Sequence, residues 1–405
     1  MRVLCADAIG DSTVTDLEAH GHECVVEAGL QAADLAERLD GYDVLVVRST
    51  RVGHEVFEQA RGLALVIRAG AGTNTIDTDA AAARGVVVAN VPGRNAAAVA
   101  ELTLGLLLAV DRRIVDATVD LRAGRWNKKE YGKADGLLGS TMGILGLGSI
   151  GLLVAERARA FGVDLLAVDK PGRSDETLAR VEELRIELRP SLADLLPDCD
   201  VVSLHLPARP DTVGLVDRDF LGRMRSGAVL LNTSRGELVD EAALLEALDE
   251  KGLRAGLDVM ADEPGTGTAE WTSRLAQHPR VVGTHHIGAS TRQAQEAIGA
   301  GVVEIIDAFA QGETVNAVNL TPRRFGSVTL TVRHLDRVGV LARVLERLSR
   351  DRLNVEQMHN RVFQGGEAAV ATIDVAGALP DELLADVAGL PDVLGVSVAA
   401  IDDPT

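Results

Sequence analysis

The chain has 405 residues, 46% of them hydrophobic and 25% charged, a composition that excludes global disorder and fits two or three folded domains. A formal net charge of −19 and an aromatic content of 2% argue against binding nucleic acid or an anionic membrane, because those partners require clustered cations or stacking rings. No apolar run is close to the length of about 18 residues that spans a bilayer. The three cysteines are widely spaced and form no CxxC pair, which favours free thiols in the cytoplasm and predicts no metal site.

The first third of the chain alternates short apolar segments with helical stretches. The segments are rich in Val, Ile and Leu and end at polar or glycine residues, which predicts buried strands at residues 2–7, 43–48, 63–68 and 86–90. Such alternation predicts a parallel sheet with helices on both faces. Because ligands bind at the carboxyl edge of these sheets, the strand ends at residues 48–51 and 68–72 are candidate binding loops.

A second alternating series follows a long region of helical character. The region is rich in Ala and Leu and predicts one helix over residues 95–122. The later strands are predicted at residues 142–145, 164–168, 201–205, 229–232 and 255–258. A further helix over residues 291–311 is expected to return the chain to the first sheet, which would make the first domain discontinuous.

The last eighty residues follow a different pattern. Residues 319–326 contain Pro322, Arg323 and Arg324 without apolar periodicity and are predicted to be a linker. After it, the predicted strands are 328–332, 355–363, 368–375 and 395–401, and the predicted helices are 339–350 and 380–387. This βαββαβ order is typical of the ferredoxin-like split βαβ fold.

A dinucleotide-binding fingerprint, GxGxxG, occupies residues 146–151, between an apolar strand and a helical run. Its glycines would let a pyrophosphate approach the helix N-terminus. Asp169 ends the next strand, 18 residues after the last glycine, where it would bind a ribose 2′-hydroxyl and repel a 2′-phosphate. NAD is therefore favoured over NADP, a preference that the adjacent Lys170 weakens. The motif residues predicted to contact the cofactor are Gly146, Gly148, Ser149, Ile150 and Gly151.

Three polar clusters near later strand ends contain the residue types of a dehydrogenase. They carry Arg235, Glu263 and the histidine pair His285 and His286. An arginine can bind a carboxylate through two hydrogen bonds, and a histidine can exchange a proton with a hydroxyl oxygen. A neighbouring glutamate would stabilise the imidazolium and raise its pKa. Together with the fingerprint, these residues predict an NAD-dependent dehydrogenase.

The motifs resemble those of the D-isomer-specific 2-hydroxyacid dehydrogenases, nearly from end to end. The segments that carry the resemblance are RAGAG (68–72), AELT (100–103), GRW (124–126), the GxGxxG, HLP (205–207), NTSRG (232–236), VDEA (239–242), LDV (257–259) and HIGAST (286–291). The resemblance implies an α/β fold in which a discontinuous flavodoxin-like substrate domain, residues 1–95 and 288–319, faces a Rossmann-type NAD domain, residues 96–287.

The resemblance also implies roles for individual residues. The catalytic set falls on Arg235, Glu263 and His286. Family members usually have proline where this chain has His285, so both histidines remain candidates, and register with the following residues favours His286. The aspartate that holds the nicotinamide carboxamide falls on Asp258. Further cofactor contacts fall on Ser149, Ile150, Leu206, Pro207 and Thr233.

Within that family, the chain is most similar to the members that oxidise D-3-phosphoglycerate to 3-phosphohydroxypyruvate with NAD, the first step of L-serine synthesis. The substrate would be a phosphorylated 2-hydroxy acid. Its carboxylate would be held by Arg235 and the backbone of Ala69, Gly70 and Ala71. Its phosphate would be held by cations from Arg48, Arg51 and Arg68, with Lys128 or Lys129 reaching over from a partner subunit. Two alternatives stay open: a glyoxylate or hydroxypyruvate reductase, and an NAD-sensing scaffold without catalysis.

Residues 326–405 resemble the ACT domain, a regulatory module that binds amino acids. His334 and Asp336 would follow the first strand and Asn354 would open the second, so we expect them at one end of the fold, facing a small effector such as L-serine. Val338 stands where the family usually has proline. A dimerisation module without ligand is the alternative. The resemblance and the commonness of symmetric assemblies predict a homo-oligomer, a dimer or tetramer, with the helix at 95–122 as a seam.

Overall fold

The computed structural model describes residues 1–264, 268–321 and 326–401. The chain divides into two compact units, Met1–Asn319 and Leu320–Thr405. Half of the predicted linker, residues 322–325 with Pro322, Arg323 and Arg324, lies outside the described residues, as do residues 402–405 of the predicted last domain.

The first sheet has five parallel strands in the order β2-β1-β3-β4-β5. They are β1 (Arg2–Cys5), β2 (Glu23–Val26), β3 (Val44–Val47), β4 (Leu65–Arg68) and β5 (Val87–Asn90). The intervening helices are α1 (Asp11–Ala19), α2 (Leu35–Arg38), α3 (His54–Gln59) and α4 (Thr78–Ala83). Strand β3 is buried on both faces, as its run of Val and Leu requires. The sequence analysis missed β2, a half-exposed edge strand of four residues that begins with a glutamate.

The region predicted as one helix is three helices: α5 (Ala96–Arg112), α6 (Ile114–Arg122) and α7 (Lys128–Tyr131). The prediction of a continuous helix was wrong because Arg113 adopts a left-handed conformation, with φ of 50°. Arg113 bonds to Asp116 at 3.1 Å and Glu130 at 2.6 Å, contacts that hold the break. Helix α5 buries one face in the core, whereas α6 buries none of its residues.

The second sheet has seven parallel strands in the order β12-β11-β10-β9-β6-β7-β8. They are β6 (Thr141–Leu145), β7 (Asp164–Val168), β8 (Glu187–Arg189), β9 (Val201–Leu204), β10 (Val229–Asn232), β11 (Arg254–Leu257) and β12 (Val281–Gly283). The helices of this layer are α8 (Ser149–Ala160), α9 (Asp175–Glu183), α10 (Leu192–Leu195), α11 (Arg218–Arg223) and α12 (Glu241–Glu250). The two outer strands, β8 and β12, have three residues each and were not predicted.

Helix α13 (Arg292–Ala310) returns the chain to the first sheet. Its Ile298, Val302 and Ile306 share a core with residues of β1, β3 and β4. Gly299 and Gly301 allow the close approach, since a Cβ on Gly299 would lie 1.9 Å from a hydroxyl of α1 and one on Gly301 would lie 2.5 Å from a valine after β5.

The second unit has the predicted βαββαβ order, with elements β13 (Val328–Leu335), α14 (Val340–Arg350), β14 (Val355–Val362), β15 (Ala368–Val375), α15 (Asp381–Ala388) and β16 (Val393–Ala400). Its antiparallel sheet has the order β14-β15-β13-β16. Leu330, Val332 and Ile373 from the sheet pack against Val344 and Leu383 from the two helices. The α/β class and the ferredoxin-like arrangement of this unit agree with the sequence prediction.

A polar clamp ties α13 to the segment between α1 and β2. His20 Nδ1 and His22 Nε2 contact the two carboxylate oxygens of Asp307 at 2.6 and 2.9 Å. Burial by itself would raise the pKa of Asp307, but the hydrogen bonds from His22 and His20 hold that pKa below its ordinary value. The carboxylate is therefore ionised in the folded protein at neutral pH.

We predict that Asp307→Asn lowers the free energy of unfolding by about 1–2 kcal/mol at pH 7, the usual cost of leaving partly buried donors without an ionised acceptor. Because the folded-state pKa lies below the unfolded one, the contribution is present above the ordinary carboxyl pKa and disappears as the pH falls through the folded value. Denaturant unfolding at pH 7 and at acid pH measures both effects. Asp249→Asn is the matched control, since Asp249 also pairs with a histidine but its side chain is 76% exposed. Equal losses in the two variants would contradict the prediction.

Candidate active site

The GxGxxG turn between β6 and α8 has the shape of a pyrophosphate cradle. Gly146 has a φ of +102°, and a Cβ there would lie 2.3 Å from the carbonyl oxygen of His205. A Cβ on Gly151 would lie 1.9 Å from the carbonyl oxygen of Gly146, so the chain's own packing requires both glycines. A Cβ on Gly148 would meet nothing within 4 Å of the described chain. The second glycine therefore leaves open space beside the N-terminus of α8, where an anion binds.

The N-terminus of α8 is free to bind that anion. Its N-cap, Gly148, has no side chain that could supply a capping bond, so the first amide groups of the helix lack that partner. Ser149 and Ile150 are its first two residues. Leu206 lies next to the turn, because its Cδ2 would be 3.1 Å from a Cβ on Gly146, and Pro207 follows it. These placements fit a dinucleotide.

Two further predicted cofactor residues lie at strand ends of the same sheet. Asp169 follows β7, and its side chain is 67% exposed and paired with Arg173 at 3.3 Å. Thr233 follows β10 and is buried, with its hydroxyl 2.8 Å from that of Thr103 on α5. Thr103 lies in the AELT segment, so that motif positions the end of β10.

Asp258 follows β11 and organises the loop that carries His286. It is 2% exposed. Its Oδ1 accepts hydrogen bonds from the Thr284 hydroxyl at 2.6 Å and the Ile287 amide at 2.8 Å, and its Oδ2 accepts one from the Gly288 amide at 2.8 Å. Its backbone carbonyl accepts from the His286 amide at 2.8 Å. Three of the four acceptor positions of the carboxylate thus serve the protein's own loop, which leaves one on Oδ2.

Glu263 and His286, which the sequence analysis predicts to be the acid–base pair, are in direct contact. His286 has a φ of +52°, and its Nδ1 makes a short hydrogen bond to Glu263 Oε1. Glu263 Oε2 accepts from the Met260 amide at 3.3 Å. Burial alone would raise the pKa of Glu263, but the hydrogen bond and charge of His286 lower it below its usual value. Since Nδ1 is engaged, proton exchange with a ligand must use Nε2. Among the described residues, His285 makes no such contact with Glu263.

Arg235 is presented by a loop that Asn232 shapes. Asn232 is 1% exposed; its Oδ1 accepts from the Ser234 amide at 3.0 Å and its Nδ2 donates to the Arg235 carbonyl at 2.8 Å. A Cβ on Gly72 would lie 2.2 Å from Arg235 Nη2, so the guanidinium lies directly against the loop after β4. The sequence analysis did not assign Asn232 a role, although its position at the strand end was a signal.

The backbone of that loop offers fewer donors than predicted. The amide of Ala69 donates to the Val47 carbonyl and that of Gly70 to the Arg68 carbonyl, both at 2.7 Å. Within the described residues, only the Ala71 amide of the predicted three has no such partner. Of the backbone predicted to hold the carboxylate, the Ala71 amide is therefore the donor that these contacts leave for a ligand.

Three arginines meet at this edge. Burial, followed by the positive charges of Arg235 and Arg48, lowers the pKa of the Arg68 guanidinium to about 10. The Arg68 Nε is buried and lacks a hydrogen-bond partner in the described part of the chain. Arg48 reaches across to the start of α13, where Nη1 donates to Gln295 Oε1 at 3.1 Å. This group of cations, called the arginine cluster below, consists of Arg48, Arg68 and Arg235.

Arg51, the other predicted phosphate ligand, lies on the loop after β3. It lines a cavity of about 480 Å³ between the loops that follow β3 and β4, together with His54 and Asn74. Asp7, which the sequence analysis did not assign, holds the loop after β3 by accepting from the amides of Arg48 at 2.6 Å and Thr50 at 3.0 Å. Lys128 and Lys129 are exposed on α7.

The three predicted effector residues do not converge within one chain. Strand register aligns His334 with Ala369 of β15, at one end of the sheet, whereas Val355, next to Asn354, aligns with Val375 at the other end. Expecting them at one end was wrong, because α14 carries the chain back along the sheet before β14 starts. His334 is 1% exposed and contacts Asn360 Oδ1 at 3.1 Å. Asp336 is exposed.

Among the described residues, no helix is long and apolar enough to cross a bilayer. No group of three or more His, Cys, Asp or Glu side chains in the described ranges is placed to hold a metal ion.

Comparison with known proteins agrees with this geometry. The family model described as D-isomer specific 2-hydroxyacid dehydrogenase, NAD binding domain, matches residues 104–288. The chain is 38% identical over 334 residues to a D-3-phosphoglycerate dehydrogenase of Methanocaldococcus jannaschii, a match that covers 81% of this chain and 62% of that protein. It is 39% identical over 299 residues to a hydroxypyruvate reductase of Thermotoga maritima, which covers 73% of this chain and 94% of that protein.

A solved structure shows the same fold. The TT0316 protein from Thermus thermophilus matches with a TM-score of 0.70 and 36% identity, over 78% of this chain and all of that one. The chain spans about 60% of the length of the curated phosphoglycerate dehydrogenases that it matches, as the 58% for the Mycobacterium leprae protein also shows. The chain has the glycine turn of an NAD-binding domain, and it covers nearly the full length of the Thermotoga maritima and Thermus thermophilus proteins. It therefore belongs to the D-isomer specific 2-hydroxyacid dehydrogenase family.

Proposed function

We propose that the chain catalyses the NAD-dependent oxidation of D-3-phosphoglycerate to 3-phosphohydroxypyruvate. The observation that carries this proposal is the arginine cluster beside the His286–Glu263 pair. Like charges are costly to assemble at a partly buried edge, and an anionic ligand offsets that cost. A substrate with both a carboxylate and a phosphate matches more of these cations than a substrate with one anionic group.

Each residue of the proposed active site has a separate role in binding or proton transfer. The Arg235 guanidinium and the Ala71 amide bind the carboxylate, while Arg68 and Arg48 bind the phosphate. His286 Nε2 takes the proton from the substrate hydroxyl, and the ionised Glu263 stabilises the imidazolium that results. NAD, when bound, supplies the hydride acceptor.

The cofactor site lies at the carboxyl edge of the second sheet. The amides of Ser149 and Ile150 would hold the pyrophosphate above Gly148, and Asp169 would bind the ribose hydroxyl. The free acceptor position of Asp258 would hold the nicotinamide carboxamide. Leu206, Pro207 and Thr233 would line the cofactor.

We assign residues 1–95 and 288–319 to a substrate domain and residues 96–287 to the NAD domain. In the part of the first unit that the structure describes, the chain passes between the two sheets at two places, the start of α5 and the loop before α13. Two crossings of this kind allow hinge closure, which would exclude water from the site.

An exposed apolar surface on the NAD domain supports a homo-oligomer. Ile114, Val119 and Leu121 of α6 are about half exposed, and nearby in sequence Trp126 is 81% exposed. Patches of this kind mark protein–protein contacts. Lys128 and Lys129 follow this surface on α7, which would let a partner subunit deliver a cation to the neighbouring site.

The second unit is proposed to bind a small amino acid such as L-serine between two copies, since His334 and Asn354 lie at opposite ends of one sheet. Alternatively, it serves assembly alone. If the effector site exists, millimolar L-serine lowers activity in the wild type and has less effect on Asn354→Ala. If L-serine changes neither the activity nor the thermal stability, the second unit serves assembly and does not bind this effector.

A hydroxypyruvate reductase remains the second candidate, favoured by the Thermotoga maritima relative, of which this chain covers 94%. Comparing kcat/KM for D-3-phosphoglycerate and D-glycerate separates the two, because only the first substrate uses the phosphate cations. An NAD-sensing scaffold would form no NADH from either acid.

We predict that His286→Asn lowers kcat by about 10²–10⁴, the usual contribution of a positioned general base, while NADH binding persists. Stopped or continuous assays of NADH formation, with NADH titration by fluorescence, measure the two effects. His285→Asn is the matched control and should stay close to wild type, because Glu263 contacts only His286 of the pair. A loss confined to His285→Asn would reassign the base.

We predict that Arg68→Gln raises the KM for D-3-phosphoglycerate by about tenfold or more, since a charge-assisted phosphate contact is lost. The kcat/KM for D-glycerate should change by less than about threefold, because that substrate has no phosphate. Arg84→Gln, which removes an exposed arginine of the same domain, is the control. Equal losses for both substrates would assign Arg68 to the carboxylate instead.

A further inference from the structure

The turn after β7 contains a cation that the proposed function does not use. Asp169 remains aligned with the sheet, because its amide donates to the Arg189 carbonyl at 2.7 Å. Lys170 and Pro171 follow, and Gly172 adopts a left-handed conformation with φ of +78°. This reversal folds Arg173 back beneath the carboxylate that would bind the ribose.

The guanidinium of Arg173 is held by the backbone rather than by the acid. Its Nη2 makes a short hydrogen bond to the Val168 carbonyl, and its Nη1 donates to the Lys170 carbonyl at 3.2 Å and to Asp169 Oδ1 at 3.3 Å. The Arg173 side chain is 13% exposed, whereas that of Asp169 is 67% exposed. The cation is therefore fixed and the carboxylate is free to move.

Because Arg173 is held in place and Asp169 is exposed, Asp169 can be exchanged for another anion. An ion pair with a carboxylate so exposed to water is weak, so another anion can replace Asp169 as the partner of Arg173. Phosphate is a strong competitor, because it accepts two hydrogen bonds from one guanidinium. Once Asp169 is replaced, the two backbone contacts leave three of the five guanidinium N–H groups for such a ligand.

We propose that Arg173, assisted by the exposed Lys170, makes the ribose end of the cofactor site accept a 2′-phosphate as well as a 2′-hydroxyl, so that the chain binds NADP in addition to NAD. The inference rests on the proposed placement of the ribose at Asp169. Asp175 and Glu176, in the first turn of α9, oppose the phosphate. NAD therefore remains the preferred cofactor, and Arg173 sets how large the preference is.

The test uses ligands that carry the ribose end without the nicotinamide, which separates binding from catalysis. Isothermal titration of the full chain with adenosine 2′,5′-bisphosphate and with 5′-AMP gives the two dissociation constants. In the wild type both ligands bind. Arg173→Gln weakens the bisphosphate by at least tenfold and 5′-AMP by less than threefold, while Arg173→Lys keeps part of the bisphosphate affinity. Asp169→Asn tightens the bisphosphate.

Arg223→Gln is the matched control, because Arg223 also pairs with an aspartate four residues away in the same domain, at 2.8 Å. It should bind both ligands as the wild type does. Equal bisphosphate affinity in wild type and Arg173→Gln overturns the inference, as does a wild type that binds 5′-AMP but not the bisphosphate. If Arg173→Gln does not fold, the bisphosphate affinities of Arg173→Lys and Asp169→Asn test the inference, and an affinity equal to that of the wild type in both variants overturns it. Failure of 5′-AMP and NADH alike to bind would instead refute the proposed cofactor site, and the inference with it.

Discussion

The buried carboxylate of Asp258 connects the two sheets of the first unit with the chemistry between them. It accepts from Thr284, Ile287 and Gly288, and so fixes the loop by which the chain leaves the second sheet for α13. The same three bonds hold His286 in a left-handed conformation opposite Glu263. The crossing between the sheets and the placement of His286, the proposed general base, therefore depend on the same carboxylate, which is 2% exposed.

Close backbone approach is the second requirement, and glycine meets it at two places. Gly72 lets the Arg235 guanidinium lie against the loop of the other sheet. Gly236, directly after that arginine, lies so near Met260 that a Cβ would fall 2.2 Å from its carbonyl carbon. These contacts bring the arginine loop and the glutamate loop together, although their residues are far apart in sequence. Substituting either glycine would separate groups that are proposed to act on one ligand.

The sequence predicted most central strands and the glycine fingerprint, because each of them depends on a pattern of neighbouring residues. The assignment of Arg235, Glu263 and His286 as the catalytic set follows from motif order and stays a prediction. The sequence did not predict β2, whose half-exposed edge position gives no clear apolar run. It did not predict the break at Arg113, which depends on ion pairs to Asp116 and Glu130 rather than on glycine or proline. The error over His334 and Asn354 was topological, since a crossover helix always returns the chain to the opposite end of the sheet.

Electrostatics explain how so acidic a chain could bind the proposed anionic substrate. With a formal charge of −19, the surface as a whole repels anions, so attraction must come from cations placed at short range. Arg68, with its lowered pKa and an Nε that has no hydrogen-bond partner among the described residues, shows the cost of that placement. The other cations of the arginine cluster raise this cost, because each lies near a like charge. Groups held in this condition are typical of ligand sites. Arg173 is also a cation placed at short range for an anion, but it is paired with Asp169, whose carboxylate an incoming anion can displace.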